Sequence, residues 1–182
     1  MNIQLSTWLQ RVAAPALVIA AAALSGCAIA PSTPASLVPA TVEAGTRHSQ
    51  TVSVAVSGVS SHATAQRHLS DDSVAEAIAT AIDKNKTFSQ VIKGGAGNLR
   101  LTVALLTADY PAMGLNFTVK NEMIWELKRA DGSTVWKESI RSEGSATTSE
   151  AFAGVERIRL AAERAVSNNI AQGLGKIAKL KL

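Results

Sequence analysis

Residues 117–128 read FTVKNEMIWELK, and this run decides the fold. Its odd positions are Phe117, Val119, Asn121, Met123, Trp125 and Leu127; its even positions are Thr118, Lys120, Glu122, Ile124, Glu126 and Lys128. Side chains alternate between the two faces of a strand, so one face is apolar and the other is wet. That pattern predicts a long, half-buried antiparallel strand. Asp131-Gly132 then supplies a hairpin turn. The partner strand is expected from about Thr134 to Ser142, with Trp136 and Ile140 on one side. Trp125 and Trp136 are expected to face each other across the hairpin.

Upstream, Leu99, Leu101, Val103 and Leu105 alternate as another strand, broken by Pro111 and Gly114. Phe88, Val91 and Ile92 suggest a short strand, closed by Gly94-Gly95-Ala96-Gly97. Val52, Val54 and Val56 recur at period two, which places a first strand from near Ser49. Between them, Val74, Ile78 and Ile82 form one helical stripe ending near Asn85. Residues Ser70 to Ser73 offer caps, and Ser73 with Glu76 fits a capping box. Downstream, Phe152, Val155, Ile158, Ala162, Val166, Ile170, Leu174 and Ile177 mark a helix of about 30 residues, roughly 45 Å long. Thr147 and Glu150 can cap it. Gly173 and Gly175 should bend or fray its last third, while Lys176, Lys179 and Lys181 suit the negative dipole end. Strands with one wet face and two helices for the other make an α+β two-layer sandwich: a mainly antiparallel sheet of about five strands, and two helices, the C-terminal one long.

The chain of 182 residues fits one domain, and 47% hydrophobic against 18% charged residues makes it globular rather than disordered. A net charge of +4 is an ordinary solvated surface, not the dense basic face that nucleic acid needs. One cysteine rules out an internal disulfide.

That cysteine sets the expected compartment. The N-terminus is polar up to Arg11, uncharged and apolar from Val12 to Leu24, and then reads Leu24-Ser25-Gly26-Cys27. A positive start, a short apolar run and small residues at a cut describe a secretory signal, 1–26. A run of about 13 residues is too short to span a membrane, which takes about 20. Leu24-Ser25-Gly26-Cys27 resembles the lipobox of bacterial lipoproteins. The resemblance implies cleavage before Cys27, a diacylglycerol on its thiol and an acyl group on its new N-terminus. Two or more chains hold a protein stably on a membrane. Ala28 and Ile29 follow the cysteine where Asp would favour inner-membrane retention, so the resemblance implies the outer membrane, on its periplasmic face. Residues 27–46 carry Pro31, Pro34 and Pro39 and are expected to be an extended tether without helix. Residues 47–182 are the expected periplasmic domain.

Most of the mature chain also resembles the YajG-like family of proteobacterial outer-membrane lipoproteins. The likeness rests on the lipobox, on Leu99-Arg100-Leu101-Thr102-Val103 leading to Thr107-Ala108-Asp109-Tyr110, on the long strand with its Asp-Gly turn, and on Gly144, Phe152 and Asn168-Asn169-Ile170. It implies an envelope lipoprotein of poorly defined role.

The residue set favours binding over catalysis. His48, His62 and His68 are too widely spaced for a compact metal site. Gly94-Gly95-Ala96-Gly97 lacks the Lys-Ser/Thr of a phosphate loop and leads into a strand, not a helix. No Gly-x-Ser-x-Gly elbow occurs. Asp71 and Asp72 fit a helix start. Trp125 reads as core, whereas Trp136 fits core or a recognition platform equally. Arg157, Arg159 and Arg164 read as a solvated face paired with Glu156 and Glu163; the sharper option is an anionic headgroup or lipopolysaccharide phosphate. The expected function is therefore non-enzymatic, with no metal and no cofactor beyond the lipid on Cys27. The expected partners are the membrane, through the lipid anchor, and an envelope protein, with Trp136, Arg157, Arg159 and Arg164 as the candidate partner surface. The alternative is a lipid- or lipopolysaccharide-handling component with its ligand between sheet and helices.

Overall fold

The computed structural model describes residues 31–60 and 68–182. The elements in chain order are α1 (Pro34–Leu37), β1 (His48–Ser57), α2 (Asp71–Asn85), β2 (Phe88–Val91), β3 (Leu99–Asp109), β4 (Phe117–Arg129), β5 (Thr134–Ala146) and α3 (Gly154–Ile177). The strands form one sheet in the order β2-β1-β3-β4-β5. The α+β sandwich of the sequence reading is what the chain adopts, with the helices on one face.

The sheet is mixed. β3, β4 and β5 form the long antiparallel meander, but β1 pairs parallel with both β2 and β3. Parallel neighbours need a crossover connection, and α2 supplies the one from β1 to β2. The hairpin forms at Asp131-Gly132: Gly132 has φ +86°, and the Asp131 carboxylate accepts the Ser133 N–H at 2.8 Å. Its register differs from expectation. Trp136 lies opposite Leu127, and Trp125 lies opposite Glu138, so the two tryptophans are not cross-strand partners.

Helix caps also differ. The capping box of α2 is Ser70 with Ser73, one turn earlier than Ser73 with Glu76. Ser70 has the extended backbone that an N-cap needs, while Glu76 reaches out to Lys93 at 2.8 Å. α3 has 24 residues, about 36 Å at ~1.5 Å per residue. It starts at Gly154 without a side-chain cap, because Thr147 and Glu150 close a turn of their own beforehand. Phe152 thus lies outside the helix and is 98% exposed. The expected fraying at Gly173 and Gly175 does not occur. Both glycines are buried, and a Cβ on Gly173 would lie 2.6 Å from the Trp125 ring. The absent side chain lets helix and sheet close over the indole.

The stretch read as an extended tether has, from Ser32 onward, its own place on the domain. Ser32 N–H donates to the His68 carbonyl at 2.7 Å. Pro34 opens the one-turn helix α1, where a missing N–H does no harm, so prolines did not exclude a helix here. Leu37 is fully buried, and α1 packs against both α2 and α3. The segment then runs the length of the helical layer: Glu43 pairs with Lys179, and Thr46 N–H donates to the Ala178 carbonyl at 2.7 Å. Leu37→Ala should therefore destabilise the whole domain by about 2–5 kcal/mol, the range for a truncated buried leucine. Chemical denaturation checks this, and an unchanged midpoint would mean that the segment is not part of the cooperative unit.

Candidate functional site

The sheet–helix interface is filled. Trp125, Leu127, Met123, Leu101 and Val103 from the sheet meet Ala161, Ala165, Ile170 and Leu174 of α3, all nearly or fully inaccessible. The void among Val59, Leu69, Leu105, Val119 and Val166 measures about 10 Å³, barely room for one water. At the centre lies a polar knot. Trp125 Nε1–H donates to Asn169 Oδ1 at 2.8 Å. Asn169 Nδ2 donates to Asn121 Oδ1 at 3.0 Å and to the Ile140 carbonyl at 2.9 Å. Ser142 Oγ–H bonds Asn121 Oδ1 and the Ala165 carbonyl. These groups bond one another, and Asn121 and Ser142 also border the open groove beside β4 and β5.

Among the described residues nothing covers the opposite sheet face, which carries polar residues in cross-strand rows. Asp109, Lys120 and Glu143 form one row, and Thr107, Glu122 and Arg141 the next. These six, with Asn168 and Gln172 of α3, border an open groove of about 690 Å³. Within it Glu122 pairs with Arg141 at 2.9 Å, and further along the same sheet face Glu126 pairs with Lys128 and Lys137. Ser139 and Arg141 hold the Glu122 carboxyl below the usual carboxylate range, and Lys128 and Lys137 do the same for Glu126. Side chains of α3 also bind the last strand: Asn168 donates to the Glu143 carbonyl at 2.8 Å, and Arg164 to that of Ser145. At the other edge stands β2, only four residues long. A short edge limits pairing with another chain.

The nominated side chains are mostly engaged within the chain. Trp136 is half-buried against the core. Arg157 is buried, not solvated: its guanidinium lies 5.2 Å over the Phe117 ring and donates to the carbonyls of Ala151 and Phe152. Arg159 is gripped by Glu156 and Glu163, and those carboxylates raise its pKa. Arg164 pairs with Glu150. None of the three arginines is a free anion-binding group. His48 Nε2 lies 3.0 Å from the Ile177 carbonyl. His68 is buried, and burial lowers its pKa. Asp71 accepts the Val59 N–H at 2.8 Å and so ties the start of α2 to the end of β1. Gly94 to Gly97 form a loop between β2 and β3. Cys27, the lipobox and His62 lie outside the described residues.

Glu150 gives a direct test of this loop geometry. Arg164 foremost, and Thr147 after it, pull its carboxyl from 4.5 down to about 2. A lowered folded-state pKa stabilises the fold above pH 4.5, and that contribution is lost as pH falls through 2. A carboxyl NMR titration should place the Glu150 midpoint well below 4.5, and Arg164→Ala should return it toward 4.5. A normal midpoint in the parent protein would mean that the pair is not formed in solution.

No known protein family matches the sequence, and no curated protein is similar to it. Its fold is shared. A Xanthomonas campestris protein of the DUF330 family superposes with a TM-score of 0.58 at 12% identity, covering 82% of this chain and 93% of that one. A minor lipoprotein of Acinetobacter baumannii gives 0.47 at 10% identity, over 70% of this chain and 90% of that one. PelC of Paraburkholderia phytofirmans, solved as a dodecamer, gives 0.48 at 16% identity, over 78% and 95%. None of these matches singles out the YajG-like family.

Proposed function

We propose that the protein is a lipid-anchored, non-enzymatic binding or scaffolding module of the bacterial envelope, held through Cys27 on the periplasmic face of the outer membrane. The anchor reading rests on Leu24-Ser25-Gly26-Cys27 behind a short apolar run, and the choice of membrane on Ala28 and Ile29 after the cysteine. Among the described residues, no helix is long and apolar enough to cross a membrane.

One observation carries the choice between scaffold and carrier: among the described residues the sheet–helix interface is packed shut, with Trp125 and Asn169 fully buried and a void of about 10 Å³ beside Val119 and Val166. A lipid carrier needs an apolar cavity of hundreds of cubic ångströms. The surface available for a protein partner is therefore outside, on the sheet face that the described residues leave open.

In-cell crosslinking of the full-length protein, read by mass spectrometry, tests this reading. The expected result is reproducible recovery of an envelope protein, lost in Cys27→Ala because the unanchored chain leaves the membrane. Recovery of lipid or lipopolysaccharide alone would instead favour a carrier.

A further inference from the structure

The exposed large apolar side chains among the described residues are Leu106, Met113, Leu115, Phe152 and Val155. All five belong to one end of the molecule. β1 and β3 run parallel, and β4 and β5 alternate against them. The turns leaving β3, leaving β5 and entering α2 therefore share that end. Met113 and Leu115 sit on the β3–β4 turn, 86% and 77% exposed, and Phe152 sits on the β5–α3 turn at 98%. Phe117 and Arg157 join the two turns: the guanidinium lies over the ring, and a Cβ on either Gly114 or Gly154 would touch that same ring. Two acidic groups near the β5–α3 turn are matched, Glu150 by Arg164 and Glu156 by Arg159.

The chain enters the domain at this same end. Ser32 is bonded to His68, two residues before the N-cap of α2, and from there the segment runs away toward Ala178 at the far end. Cys27 is five residues before Ser32, and five residues span at most about 18 Å. An anchor at Cys27 thus holds the apolar end toward the membrane, within one short tether of it.

We propose that this end is a membrane-docking surface, in which Met113, Leu115 and Phe152 enter the headgroup region of the bilayer that holds the lipids of Cys27. The inference rests on the lipid-anchor reading and adds an orientation: the loop end faces the bilayer, and the Asp131 turn, at the other end of β4, faces away from it. Shallow insertion of apolar side chains at an interface needs no spanning element.

The test uses the full-length lipidated protein in vesicles of phosphatidylethanolamine and phosphatidylglycerol. Cys27 is the only native cysteine, and its thiol is consumed by lipidation, so M113C, F152C and D131C each take up a thiol-reactive bimane at one place. The three positions are solvent-exposed, and circular dichroism checks that each variant folds. With nitroxide-bearing lipids present, bimane at M113C and F152C should be quenched about twofold or more, and bimane at D131C should be unaffected. Labels at M113C and F152C as unquenched as D131C, on a chain with acylated Cys27, overturn docking and leave the anchor standing. A label shielded from water but not quenched by lipid overturns it too, since a second copy or another protein then covers the patch. If bimane reacts at Cys27 itself, the anchor is absent and both readings fall.

Discussion

Gly144→Ala should cost the domain about 3–5 kcal/mol, enough to lower Tm by roughly 10 °C or more. A Cβ at this position would lie 2.3 Å from both the Ala161 carbonyl oxygen and the Ala165 nitrogen. Those are backbone atoms in the middle of α3, and no side-chain rotation relieves the overlap. The helix must lift from β5, which opens the contacts around Asn169 and Ser142 as well. Overpacking of this kind ordinarily costs about 1–3 kcal/mol, and rigid backbone puts it at the top of that range or above. Gly132→Ala serves as the contrast. Its Cβ would meet nothing within 4 Å, and only its φ of +86° is unfavourable, so it should cost about 1 kcal/mol. Equal losses for the two would mean that the approach of α3 to β5 is looser than described.

Asn169→Ala should destabilise by a similar about 3–4 kcal/mol, for a different reason. It leaves the Trp125 indole N–H without its acceptor in a fully buried place and takes one donor each from the Ile140 carbonyl and from Asn121 Oδ1, which keeps Ser142. Each unsatisfied buried polar group costs about 1–3 kcal/mol. Denaturation measures the loss, and the indole N–H proton resonance of Trp125 reports the cause, since it should shift when its acceptor is removed. A stability change below about 1 kcal/mol with an unmoved resonance would show that the knot contributes little.

Much of this architecture was legible in the chain because it follows from periodicity. The alternation in 117–128 located β4, and Asp131-Gly132 located its turn. The stripe through Ile170 and Ile177 located α3. Periodicity carries no information about which strands are neighbours, however, so the parallel placement of β1 between β2 and β3 was not visible. Nor does it distinguish a glycine that breaks a helix from one that admits an indole. Gly173 reads as a weakness until Trp125 is seen against it. Asn121 did leave a trace, as the one polar residue on an apolar face, but its partner Asn169 became recognisable only when the two elements met. Prolines misled in residues 31–46, since Pro34 at a first helical turn costs nothing and Leu37 behind it is core. Of the arginines of α3, Arg159 pairs with Glu156 and Glu163 as its spacing suggests, whereas Arg164 takes Glu150 from the preceding turn and the third, Arg157, takes no carboxylate. Its partners are a ring and two carbonyls, which charge spacing along a helix cannot reveal. The exposed end was hidden for the same reason: Met113 and Phe152 are 39 positions apart in the chain and share a surface only through the fold.

The claim beneath the functional account is that Cys27 is the lipidated N-terminus of a membrane-bound protein. Intact-mass analysis of the protein purified from envelope fractions tests it most directly. The account predicts a chain beginning at Cys27, carrying a diacylglycerol and an N-acyl group and sedimenting with the outer membrane. A chain that keeps residues 1–26, or one cut there with an unmodified cysteine and found free in the periplasm, would contradict it.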